Sequence, residues 1–317
     1  MNCKHILLLI LVQLSFSSIG YAQDSTNLMS QLEKEVGNNE NNQVNYTIAA
    51  FKTTRLVNGH TIENVAKGVL DVKISHRFGT IGGTEGGSYN LFGLDNATMR
   101  MGLDYGISRY LMVGVGRSTY KKTYDAFFKL KLLRQSTGKR NMPVTVSYVP
   151  TIAIKTSPKP PANRKNYFHS KLSFSHQIII GRKFSEATSL QLMPSYVHNN
   201  LAELLGDPNK LFAVGIGGRQ KLSKRMSLNV EYYYQLPGHK LKEAKDASGI
   251  IIRKASINSL SVGFDIETGG HVFQLHFTNS RAMNESGFIG ETTDQWSKGH
   301  ILFGFNISRV FTIGKNH

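Results

Sequence analysis

Cysteine is all but missing from this chain: of 317 residues only Cys3 is one. It sits in "MNCKHILLLILVQLSF", where Lys4 precedes about eleven mostly apolar residues, followed by the small residues of Gly20-Tyr21-Ala22. That is the layout of a secretory signal peptide cut before Gln23, without the cysteine at the cleavage point that a lipoprotein signal needs. A mature chain starting there has no disulfide, no thiolate metal site and no thiol nucleophile. Held by neither, an exported protein of this length needs a large core or closed backbone pairing. Long apolar runs are missing as well. The longest is the signal segment, well short of the roughly 20 residues of a spanning helix, so no transmembrane helix is expected. Acids are scarce: 21 Asp and Glu stand against 38 Lys and Arg, a formal charge of +17, or +16 once Lys4 is removed. In the cytoplasm such a surplus would point to nucleic acid. Export sets that partner aside and leaves lipopolysaccharide phosphates, acidic glycans and small anionic solutes.

What is present is alternation. Residues 23–44 are polar and Asn-rich and read as a flexible leader, and 45–64 form a pre-barrel segment containing "FKTTRLVNGHTIE". From 65 to 313 the chain is a series of stretches with apolar residues on one parity and polar or charged residues on the other, the period of a two-faced strand. "SLNVEYYYQL" (227–236) is typical: Leu228, Val230, Tyr232, Tyr234 and Leu236 share one face, and Asn229, Glu231, Tyr233 and Gln235 the other. About twelve such strands are expected, near 68–78, 96–107, 111–118, 122–134, 143–155, 167–183, 189–198, 211–221, 226–236, 257–267, 271–279 and 296–311. Their links alternate. Short turns at 108–110, 136–140, 184–187, 222–225 and 268–270 interleave with mostly longer connections at 79–95, 156–166, 199–210, 237–256 and 280–295. A soluble sandwich has no reason to sort its loops by length, whereas an outer-membrane barrel has tight periplasmic turns and longer external loops. The expectation is therefore all-β: an antiparallel transmembrane β-barrel of about 12 strands with both termini periplasmic, in the cell outer membrane. Tyr148, Tyr196, Tyr234 and Trp296 are candidates for its aromatic girdle.

Three stretches carry a resemblance: "FKTTRLVNGHTIE" (51–63), "VAKGVLDVKISHRFG" (65–79) and "GLDNATMRMGLDYGISRYLMVGVGRS" (93–118). In them, and across nearly all of the mature chain, the protein resembles a family of exported Bacteroidota proteins described only as a β-barrel domain of unknown function. The resemblance implies an outer-membrane-type barrel and no activity. The chain departs from many outer-membrane proteins at its end, where Phe311 and Ile313 are followed by "GKNH" rather than a terminal aromatic.

With the apolar parity toward lipid, the other parity lines the lumen. The charged residues assigned there are Lys73, Arg77, Arg100, Asp104, Lys129, Lys131, Lys171, Arg219 and Glu231, with Asp71, Asp125, Lys155, Lys221 and Asp265 beside them. A cation on the lipid face near the midplane would cost roughly 2–4 kcal/mol, which fixes the register. Two readings of this lining stay open: a pore that favours anions, or a narrow barrel plugged by its own ion pairs. Gly114, Gly116, Gly215 and Gly217 fall on inward positions, leaving room for the leader, a solute or long neighbours. Lys52, Arg55, His60 and Glu63 of the pre-barrel segment either enter the lumen as a plug, meeting charges such as Arg100 and Asp104, or staple the amino end to the rim. The Gly-rich link 79–90 lacks the "GK[ST]" ending of a nucleotide loop and reads as an external loop. No catalytic set is assembled by His169, Ser170, His176 or His276, and no metal site by His271 and His276. The expectation is not an enzyme, with no cofactor and no metal, but a passive channel or uptake component for small, anionic solutes. The alternative is a non-conducting barrel that anchors or receives a periplasmic or surface partner through basic loops such as 155–166 and 239–254.

Overall fold

In the computed structural model the described residues are 43–83, 86–156, 167–202, 204 and 206–313. The expected signal peptide, most of the leader, residues 157–166 and the "GKNH" end lie outside them. In chain order the first eight strands are β1 (Val44–Tyr46), β2 (Val69–Thr80), β3 (Ala97–Gly106), β4 (Leu111–Ser118), β5 (Thr123–Leu133), β6 (Ser136–Gly138), β7 (Thr145–Lys155) and β8 (Leu172–Lys183). The rest are β9 (Thr188–Asn199), β10 (Lys210–Lys221), β11 (Met226–Gln235), β12 (Ala244–Lys245), β13 (Ile251–Arg253), β14 (Ser259–Thr268), β15 (His271–Thr278) and β16 (Leu302–Thr312). Residues 43–45 and 137–141 fall in a small unit of their own, to which most of the β1–β6 pairing belongs.

The remaining described residues contain a closed barrel of twelve strands, β2-β3-β4-β5-β7-β8-β9-β10-β11-β14-β15-β16, each antiparallel to its neighbours. The ring closes where β16 meets β2, with Thr312 opposite Val69 at one end and Gly304 opposite Arg77 toward the other. Closure removes every free edge, the condition for strands to cross lipid with all backbone groups paired. It also explains how a chain without disulfides is held.

The two parities separate as physical chemistry requires. Leu103, Val115, Phe128, Ile178, Leu190, Ile216, Tyr234 and Leu275 are exposed on the outer wall, whereas Asp71, Lys73, Arg77, Arg100, Asp104, Asp125, Lys129, Glu231 and Asp265 are buried within. A polar inside and an apolar outside invert a soluble barrel and fit one surrounded by hydrocarbon. Away from the end where Val69 and Thr312 lie, outward rings meet across strands: Tyr196 tilted against Phe212, and Phe303 stacked on Phe78 and tilted against Phe277. Trp296 is not among them. It lies in a 3-10 turn, Trp296–Lys298, and its indole N–H bonds the Leu260 carbonyl.

The link expected as an external loop at 280–295 instead folds inward. It carries a short helix, α1 (Glu285–Gly290), whose six residues are all buried. Phe288 packs on Tyr233, with ring centroids 5.1 Å apart. Burying Phe288 and Ile289 removes enough apolar surface to favour the inward state by roughly 3–6 kcal/mol, which an extended external loop would forgo.

Candidate functional site in the lumen

Residues 50–65 form an irregular hairpin inside the barrel, entering from the end where Val69 and Thr312 lie. Its arms are joined by an Arg55–His60 bridge, the Leu56 N–H to Gly59 carbonyl bond at 2.8 Å and the Thr61 N–H to Thr54 carbonyl bond at 3.0 Å. Such a segment has no sheet partner, so its backbone groups must find others. The wall provides them. At the tip, the N–H groups of Val57, Asn58 and Gly59 converge on the carboxylate of Glu231 at 3.2, 2.8 and 3.1 Å. Lys129 donates to the carbonyls of Thr54, Thr61 and Glu63 at 3.2, 3.0 and 2.6 Å, which uses all three of its hydrogens. Gln191 bonds the His60 carbonyl at 2.8 Å, Asn306 the Val57 carbonyl at 3.1 Å, Arg219 the Ala50 carbonyl at 3.0 Å, and Gln274 the Leu56 carbonyl. Much of the basic and amide lining is thus spent on hairpin backbone.

The sequence-assigned lumen residues fall into distinct groups. Lys73 pairs with Asp104 and with Asp71, the latter at 3.1 Å, and also bonds the Thr54 hydroxyl. Arg100 binds Asp125 with two nitrogens, one at 3.0 Å, and does not reach the hairpin. Arg77 donates to the Asn58 amide oxygen at 2.7 Å and to Asn306 at 3.3 Å. Lys131 is only half-buried, beside a register shift between Lys131 and Leu133. Lys171 is not on a strand at all. A 3-10 turn, Phe168–Lys171, delays β8 to Leu172, and the residue lines a pocket with Lys155, Asp207 and Glu291.

The four pre-barrel residues separate as well. Lys52 pairs at the rim with Glu267, which is half-exposed. Glu63 accepts the Ala50 N–H at 2.8 Å and closes the base of the hairpin. Arg55 and His60 lie deep, and each meets a residue that pattern reading did not single out, Glu285 of α1, at 2.8 and 3.3 Å. Hairpin and helix therefore touch through an ion pair inside the barrel. In His60, burial first and then Arg55 and Lys129 push the imidazole well below its ordinary value, so it is neutral at pH 7. Glu285, Phe288 and Glu291 could have been suspected only from an apolar pair and acids inside an otherwise small, polar loop.

The inward glycines answer to close approach. A Cβ on Gly217 would meet Leu56, one on Gly181 would meet Ile62, and one on Gly116 would strike the Arg100 guanidinium. Gly215 faces Tyr233, and Gly114 faces Phe127 and Asp104.

The lumen is asymmetric. Phe51, Leu56, Ile62, Phe288 and Ile289 form a core with Met112, Val149, Ile179, Met193, Val197 and Tyr233 of β4 to β11. Around β14, β15, β16 and β2 the interior is polar and contains space. A cavity of about 430 Å³ opens beside the hairpin base, bounded by Lys52, Glu63, Asp71, Glu267 and His271. Further in, a void of about 20 Å³ touches Arg55, Lys73, Gln274 and Asn306. Beyond the hairpin tip, a third cavity of about 260 Å³ lies against Arg77 and Arg281. Arg77, Asn58 and Asn306 separate the second from the third.

A closed, lipid-facing barrel with a polar interior defines a membrane β-barrel of the outer membrane. More particularly, the chain belongs to the family described as "Membrane bound beta barrel domain (DUF5777)", whose model matches residues 51–311 and so includes the hairpin. The fold is similar to that of the NanC porin, at 7% identity and a TM-score of 0.45, over 77% of this chain and 98% of that one. It is also similar to the COG4313 outer membrane channel from Pseudomonas putida F1, at 11% identity and 0.47, over 78% and 97%. No curated protein matches the chain.

Proposed function

We propose that the protein is a gated channel for small, anionic solutes, closed in this state by the 50–65 hairpin, with both termini periplasmic and no enzymatic role. The observation that carries this reading is the file of cavities along the β16–β2 seam, interrupted where Asn58 meets Arg77 and Asn306. The hairpin is held on that side by hydrogen bonds that water can replace, so its withdrawal exposes polar groups to solvent instead of opening an apolar core. The apolar half, with α1, supplies the fixed part. The seam left behind carries Arg77, which has no ion pair among the described residues, and an unpaired cation in a narrow lumen lowers the barrier for anions.

The test is conductance in planar bilayers of the full chain and of a variant lacking 45–63, each first shown to be a folded barrel by heat-modifiable gel migration. Steady, anion-selective current is expected from the deletion and rare openings from the full chain. A folded deletion variant that passes no current excludes the channel.

A second reading has its own support. The β12–β13 hairpin presents Ile250, Ile251 and Ile252 exposed in succession, beside Lys240, Lys242 and Lys245. An apolar tip in a basic loop suits docking of a surface partner, and a silent barrel would leave that role in place.

A further inference from the structure

We propose that the 260 Å³ cavity beyond the hairpin tip is a binding site for a small oxyanion, a phosphate or carboxylate solute, received by Arg77. The proposal rests on the reading of the lumen as a solute path and names the ligand class of its far segment.

Arg77 is 1% exposed and makes no ion pair among the described residues. Among the other buried cations, Arg55 pairs with Glu285, Lys73 with Asp104 and Asp71, and Arg100 with Asp125, Lys129 donates to three carbonyls, and Arg219, at the hairpin base, donates to the Ala50 carbonyl. Arg77 has only neutral acceptors, the Asn58 and Asn306 amide oxygens and the His76 carbonyl. The acid on the facing wall, Glu231, is committed to three hairpin N–H groups. A buried, unpaired guanidinium is costly and calls for an anion.

Arg77 Nε is buried without a hydrogen-bond partner, while the adjacent terminal nitrogen, Nη2, carries two hydrogens, one of them directed to Asn58. Nε and Nη2 form the side-on edge of a guanidinium, the edge that binds two oxygens of a carboxylate or phosphate at once. The cavity at this residue is lined by Arg77, Arg281, Asn96, Thr98, Phe78 and Leu302 among others, with no carboxylate among the described residues of its wall. Arg281 is tied to Asp294 through its Nε at 2.8 Å, which holds a second guanidinium at the rim. The side-chain amide of Asn96 suits a remaining oxygen of an oxyanion.

The test measures thermal stabilisation of the detergent-solubilised full chain by inorganic phosphate, acetate and chloride at constant ionic strength, for wild type, Arg77→Gln and Arg77→Lys. Phosphate and acetate are expected to raise Tm of wild type more than chloride does, and Arg77→Gln, which removes an unpaired buried charge, is expected to fold. The concentration for half the shift should rise about tenfold or more in Arg77→Gln, and substantially in Arg77→Lys, which keeps a charge without the fork. Equal responses in wild type and Arg77→Gln overturn the site, as does a wild type that ignores phosphate and acetate. A response to dihexanoyl phosphatidic acid but not to inorganic phosphate assigns a lipid headgroup and overturns the solute. Binding is read in the closed barrel, so a silent bilayer experiment refutes the channel without deciding this measurement.

Discussion

The contact between Glu231 and the hairpin tip offers the sharpest test of how the lumen is closed. Replacing Glu231 with Gln keeps the shape of the side chain and removes its charge. One carboxylate oxygen accepts from Val57 and Gly59 and the other from Asn58, at 3.2, 3.1 and 2.8 Å, in a site with no exposure to solvent. A glutamine keeps one acceptor oxygen, best used on the two-bond side, and turns its amide nitrogen toward the Asn58 N–H. The tip thereby exchanges three charge-assisted bonds for two neutral ones and gains a donor facing a donor. Charged bonds contribute about 1.5–3 kcal/mol and neutral ones about 1 kcal/mol, so the hairpin seat should weaken by at least about 2.5 kcal/mol. At about 1.4 kcal/mol per factor of ten, the withdrawn population rises about 60-fold or more. Cys3 is the sole native cysteine, so in a Cys3→Ser background a Val57→Cys probe is a unique thiol, buried while the hairpin is seated. Its labelling by a charged maleimide should accelerate by that factor when Glu231→Gln is added. Labelling within about threefold of the parent, in a barrel shown to be folded, would refute the claim that this carboxylate holds the hairpin.

Other outcomes follow from the same geometry. Lys129→Met strips the donor from three buried carbonyls and should lower hairpin stability by about 2–4 kcal/mol, read as earlier proteolysis within 50–65 while the barrel's own melting changes little. Gly106→Ala places a methyl against the Ala66 and Val65 carbonyls, where the hairpin leaves the lumen, and should raise hydrogen exchange at 64–68. For Glu291, burial alone would raise the pKa, but Lys155 and Lys121 outweigh it and hold it at about 2. A depressed carboxylate stabilises above its ordinary value of 4.5 and loses that contribution as pH falls toward 2. Exchange protection of 285–292 should therefore persist from neutral pH to about 4.5 and fade between there and 2, and Glu291→Gln should flatten that dependence.

How much was legible is best judged residue by residue. The "SLNVEYYYQL" stretch discloses both faces of its strand, because side chains alternate with a period of two and lipid tolerates no charge. Glu231 inside and Tyr234 outside follow from parity alone. Parity does not say what Glu231 meets, since its partners lie some 170 residues earlier in a segment with no periodicity. Lys171 misled because alternation runs on past the turn that starts β8 late. Arg100 looked like a partner for the hairpin, yet Asp125, two strands away and also inward, is the nearer match. Link length, which signals an external loop at 280–295, is silent on whether the loop folds outward or in.

The sequence by itself determined export, a disulfide-free chain, twelve two-faced strands and the side of each that meets lipid. These are properties of local pattern, set by covalent geometry and by the cost of placing charge in hydrocarbon. Only the tertiary structure decided that the interior is occupied, that Lys129, Arg219 and Glu231 hold hairpin backbone, and that Arg77 lines a cavity with no acid among the described residues of its wall. Those outcomes depend on which distant groups satisfy each buried donor and acceptor, and closure of the barrel is what brings such groups within 3 Å of one another.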